Sequence, residues 1–164
     1  MLSFLAEPGP LMALYAINAL WFFSGFYCFV FKPAFIMRDF SKRQFSHKPS
    51  IRNVPDGDVW HHDIMAYLGA LNASLTFLAL LRLYAIWFPS KYLSSGTSQG
   101  DISLDIMSLL VLCSANMSQA IINFHTALQG DRWVMGRGLD IITVMDAVLT
   151  VLDLTAIIGK ASQM

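Results

Sequence analysis

Charge is what this sequence has least of. Lys, Arg, Asp and Glu together make up 13% of its 164 residues, about half the roughly 25% of an ordinary soluble domain. The formal net charge is zero, so no bulk field exists to gather nucleic acid, and none is expected as a partner. Cysteine is scarce too. Cys28 and Cys113 both stand inside apolar runs, without CxxC or Cys/His ligand spacing, and read as small buried hydrophobes. A phosphate loop, a nucleophile elbow and a dinucleotide fingerprint are all missing, and neither a cofactor nor a metal is expected.

What is present is apolar: 55% of residues are hydrophobic, and the mean hydropathy is +0.53. Four segments reach the roughly 20 residues that a bilayer core requires. They run from Leu11 to Phe31, from Ile64 to Phe88, from Ile106 to about Leu128, and from Leu139 to Gly159. The expectation is an all-α polytopic membrane protein, a four-transmembrane-helix bundle with a polar interior, forming one domain over residues 1–164. The first segment lacks a basic n-region and follows Pro8 and Pro10, so it reads as a retained span rather than a signal peptide.

Four spans place both termini on one side. Eight of the 11 basic residues fall in two loops on the other side, Lys32, Arg38, Lys42, Arg43, Lys48 and Arg52 in one, Arg132 and Arg137 in the next. The positive-inside rule makes loops 32–63 and 129–138 cytoplasmic and both termini lumenal or extracellular. Lys91 and Lys160 stand on the opposite side. The segment from Pro33 to Pro55 shows no sustained period, and its charges serve to set topology or to attract anionic lipid. The Ser/Gly-rich stretch from Pro89 to Asp101 reads as a flexible lumenal loop.

The last span carries the clearest pattern. Thr143, Asp146, Thr150 and Asp153 recur at spacings of three, four and three, which on a helix makes one polar stripe. A carboxylate at the bilayer centre costs about 2.5–3.5 kcal/mol on insertion scales, so the stripe should face other helices. Asn116, Gln119 and Asn123 form a similar arc on the third span, and Asn18 and Asn72 are each the only amide in theirs. Counting depth from the rise per residue predicts Gln119 near Asp146 and Cys113 near Asp153. Arg82, towards the far end of the second span, is the obvious cation for Asp153; Arg82→Met should then weaken the fold unless Asp153 is also neutralised. Asp146, left without a cation, is the better candidate for a general acid. A small-residue face, Ala66, Gly69, Ala70 and Ala73, suits close helix packing.

His61, His62 and Asp63 precede the second span, and His125 lies towards the same end of the third. Neighbouring residues on a helix point about 100° apart, so His61 and His62 do not share a face, and no HxxxH or ExxH spacing occurs. With Trp60 and Trp133 they read as an interfacial belt rather than a metal site.

Length, span count and the run Leu81-Arg82-Leu83-Tyr84-Ala85 resemble the family of ergosterol biosynthetic protein 28, small four-span scaffolds of the endoplasmic reticulum. The family's Trp-Thr pair is replaced here by Leu71-Asn72-Ala73-Ser74, and its third-span Gly-His is absent. DoxX-like four-span proteins are similar in architecture. The resemblance implies an accessory or scaffold of lipid, sterol or isoprenoid metabolism in that membrane. Its partners would be membrane lipids together with other membrane proteins or further copies of the chain. The competing expectation is an embedded isomerase or cyclase acting on a terpenoid or sterol-like substrate, with Asp146 and Asp153 as catalytic acids. Asn72, Asn116, Gln119, Asn123, Arg82 and Thr150 would orient the ligand, and first-span aromatics would line the pocket. Proton-coupled transport by an oligomer ranks third.

Overall fold

Pro8 and Pro10 open the first long helix three residues earlier than the apolar run suggests, because proline's missing N–H is no loss in a first turn. In the computed structural model, which describes residues 2–41, 43–90, 92–127 and 141–164, every regular element is helical. A single turn, α1 (Leu2–Leu5), leads into α2 (Pro8–Phe31). Two short helices follow, α3 (Pro33–Phe40) and α4 (Pro49–Arg52), before the long α5 (Val59–Trp87), α6 (Ser98–Ala127) and α7 (Ile141–Ala161). The four long helices are each long and apolar enough to cross a membrane. The fold is the expected all-α four-helix bundle. Leu128, Arg132, Trp133, Arg137 and Leu139, together with Lys42 and Lys91, lie outside the described residues.

Two boundaries differ in ways that matter. Helix α6 starts eight residues before the expected Ile106, which brings Asp101 and Asp105 inside it. Asp101 sits in the first turn, where helix dipoles favour anions. Its carboxylate also accepts from the Ser95 amide (2.7 Å) and from the Ser94 and Ser95 hydroxyls, fastening the loop before it. Helix α3 occupies a segment that shows no sustained period. Pro33 starts it, and Ile36 and Met37 are buried, Ile36 beside Phe29 and Met65.

The bundle is apolar outside and polar within. Leu20, Tyr67, Leu71, Phe77, Trp87 and Val151 are more than three-fifths exposed, as lipid-facing side chains are. Asn18, Asn116, Asp146 and Asp153 are fully buried, so the acidic and amide stripes face inward as the spacing predicts. Helices α2 and α5 pack as one pair and α6 and α7 as another, with much sparser backbone approach between the pairs. The end bearing α3 and α4 is termed the loop end below, and the opposite one the terminal end.

The α2/α5 pair closes on Gly69, the buried member of the small-residue face, whereas Ala70 is exposed. A Cβ at Gly69 would stand 2.5 Å from Cγ2 of Val30 and 3.3 Å from the Phe26 carbonyl oxygen. Val30 is β-branched and has few rotamers to escape into. Gly69→Ala should therefore lower the detergent-solubilised thermal midpoint by the equivalent of about 1–3 kcal/mol. Val30→Ala in the same chain should recover most of that loss. An unchanged midpoint for the single variant contradicts the close approach.

Candidate functional site

The seam between the two helix pairs is built by three recurring spacings. On α2, Tyr15, Asn18 and Trp21 follow one another every third residue. On α7 the stripe from Thr143 to Asp153 continues seven residues on to Lys160, almost two full turns and hence the same face. On α6, Asp105 and Asn116 are eleven residues apart, about three turns, and Asn123 lies seven beyond. Donors from α2 and α5 thus meet carboxylates from α6 and α7 at three levels.

At the terminal end Asp105 is the hub, 4% exposed. Arg82 Nη2 donates to its Oδ1 at 2.6 Å, Lys160 Nζ lies 3.0 Å from its Oδ2, and the Tyr15 hydroxyl reaches its backbone carbonyl at 3.2 Å. One level deeper, Asp153 accepts from Asn18 Nδ2 at 2.9 Å and from Asn116 Nδ2 at 3.3 Å, and Asn116 also donates to Asn18 Oδ1 at 3.0 Å. Nearer the loop end, the Trp21 indole N–H donates to Asp146 Oδ1 at 2.7 Å. Bonds to an ionised carboxylate, such as that from Arg82 to Asp105, exceed the average contribution of neutral ones.

The structure corrects the expected pairing of Arg82 with Asp153. Arg82 is taken by Asp105, and Asp153 is held by two amides. Asp105 stands one residue before the uncharged run that opens at Ile106, so run length alone leaves it outside the span; carrying the Asn116 stripe back three turns finds it. Lys160, expected just beyond the last span on the side opposite the basic loops, continues the α7 stripe. Trp21 is one of the first-span aromatics and Tyr15 has no motif around it; only their spacing about Asn18 signals them as donors.

The remaining candidates divide. Cys113 lies near the Asp153 level, its Sγ 3.7 Å from the Thr150 carbonyl. The Thr150 hydroxyl donates to the Asp146 carbonyl in its own helix at 2.7 Å, so it is engaged locally. Asn123 is buried towards the loop end. Asn72 and Gln119 do not join the seam. Both line a half-open cavity of about 180 Å³ on the loop-end side, with Trp21, Gly25, Cys28 and Phe29 of α2, Phe35, Ile36 and Phe40 of α3, and Ile141 and Ile142 of α7. Trp21 joins the two regions, since its ring lines the cavity while its N–H holds Asp146. Of the other first-span aromatics, Phe22 packs in the core, and Phe23 and Tyr27 are exposed.

His61 belongs to a surface cluster. Its Nδ1 lies 2.6 Å from Asp58 Oδ1 and its Nε2 3.2 Å from Arg43 Nη1, which fits the tautomer with the proton on Nδ1. Asp58 caps α5 by accepting the His61 backbone N–H at 3.1 Å. That bond, then the one from the His61 ring, holds its carboxyl below the usual carboxylate range. His62 Nε2 contacts the Asp56 carbonyl at 2.8 Å. Among the described residues no three potential metal ligands come together. No known protein family, curated protein or solved structure matches this chain.

The Asp105 hub joins two cations to one anion, which fixes an order of sensitivity. Removing Arg82 or Lys160 leaves one ion pair, whereas Asp105→Asn leaves two buried cations facing no anion. Asp105→Asn should therefore be the most damaging of Asp105→Asn, Arg82→Met and Lys160→Met, costing about 3–5 kcal/mol in detergent unfolding. Asp153→Asn should fail to rescue Arg82→Met; rescue by that change would restore the pairing that the geometry replaces.

Proposed function

We propose that this chain is a non-catalytic accessory protein of lipid, sterol or isoprenoid metabolism that holds a lipophilic molecule in its loop-end cavity. The observation that carries this reading is the cavity itself, apolar over most of its wall and bordered by a few convergent polar groups, as small-molecule sites usually are. The buried carboxylates support it from the other side. Asp105, Asp153 and Asp146 each bond to a side chain of α2 or α5, so their presence is accounted for by joining the two helix pairs. The basic loops favour a cytoplasmic loop end with lumenal termini, and the endoplasmic reticulum is the membrane we assign.

One observation favours an embedded enzyme as the second reading. Trp21 is shared between cavity and carboxylate, so Asp146 stands directly behind the wall that a bound molecule would touch. Acid chemistry by Asp146 on a terpenoid or sterol-like substrate would use that position.

Protein purified in mild detergent should carry a lipophile enriched over the surrounding lipid when its extract is read by mass spectrometry. Cys28→Trp, which fills the cavity from α2, should remove that enrichment while the protein still unfolds cooperatively. An extract matching bulk lipid in both proteins would end the ligand-holding reading. Asp146→Asn separates the alternatives: retained cavity binding with lost turnover of the extracted lipophile argues for the enzyme.

A further inference from the structure

The cavity's polar wall has a chemical polarity of its own. Asn72 is 5% exposed, and its Nδ2 donates to the Leu68 carbonyl at 2.8 Å, one turn back in the same helix. Its Oδ1 has no donor among the described residues. That oxygen lies over the bare backbone of Gly25, 2.9 Å from where a Cβ would stand. An acceptor left open at the cavity wall can take a hydrogen bond from a donor that a ligand brings. Gln119, from α6, lines the same cavity, is half-buried, and makes no side-chain hydrogen bond to a described residue. Its amide offers donors as well as an acceptor. The Ser24 hydroxyl already donates to the Trp21 carbonyl at 2.7 Å. Among the described residues that line the cavity there is no Lys, Arg, Asp or Glu.

We infer that the Asn72 side of this cavity receives the hydroxyl of a neutral lipid alcohol. The inference rests on the cavity reading above and narrows it to a ligand class. An alcohol has one O–H to give to Asn72 Oδ1 and lone pairs to take from the Gln119 amide. A carboxylate or phosphate has only acceptors to set against Asn72 and brings charge to a wall whose described residues include no cation, where burial is costly. A plain hydrocarbon leaves the Asn72 carbonyl as it was. Gly25 is the residue that keeps this carbonyl accessible, since any side chain there covers it.

The test uses the full chain in mild detergent and three photoreactive probes carrying the same diazirine: a long-chain alcohol, the matching carboxylic acid and the matching alkane. The alcohol should label cavity peptides of α2, α3 and α5 at about tenfold lower concentration than either other probe, the factor that one hydrogen bond supplies. Asn72→Leu and Gly25→Ala should each bring the alcohol down to the level of the alkane. Should Asn72→Leu fail to accumulate, the three-probe comparison on the unaltered chain and on Gly25→Ala decides. Equal labelling of the cavity by alcohol and alkane overturns the hydroxyl assignment and leaves the cavity reading standing. Labelling elsewhere, or none by any probe, overturns both.

Discussion

Three carboxylates buried among helices in an apolar surround must each find donors inside the protein, and the rest of the structure is arranged around that requirement. Asp105, Asp153 and Asp146 all belong to α6 and α7, and the groups that satisfy them come largely from α2 and α5. The polar interior is therefore a fastening between two halves. Lipid is as apolar as leucine, so apolar burial alone gives helices little reason to associate there. Directed bonds of this kind supply both attraction and register.

Within a half the means are different. The α2/α5 pair is held by close approach at Gly69, where Val30 occupies the space a side chain would take, and by contacts such as Phe29 on Met65. The contrast explains the composition of each helix. Helix α5 has small residues where it meets α2 and one charged side chain, Arg82, where it meets α6. Helix α7 has threonines and aspartates along one stripe and valines and isoleucines elsewhere. The cavity lies beside both devices, on the loop-end side of the Trp21–Asp146 bond, with α3 forming part of its wall.

The four spans are legible as long apolar runs and the inward aspartates as a helical period, and both survive any detail of packing. Partners were less so. Assigning Arg82 to Asp153 followed from treating charged Asp105 as a boundary marker, when it is a buried residue neutralised by Arg82 and Lys160. Tyr15 and Trp21 carry no signal as donors in the sequence, because the direction of a single O–H or N–H is set by tertiary contacts. Helix α3, eight residues long, is too short to display a period. A cavity is a place where helices fail to meet, and no residue pattern spells that out; Asn72 and Gln119 were recognised as polar, but their separation from the seam emerged only from the fold.

The division of labour between the halves has a consequence for biogenesis. Synthesis proceeds from the N-terminus, so α2 and α5 enter the bilayer while Asn18, Trp21 and Arg82 still await acceptors that the ribosome has yet to add. The guanidinium is the most expensive of these to strand. It sits close enough to the helix end to rest among headgroups until Asp105 is made. Asp153 and Lys160, in the last helix to be translated, complete the set. The polar seam is therefore complete only once the final span is present.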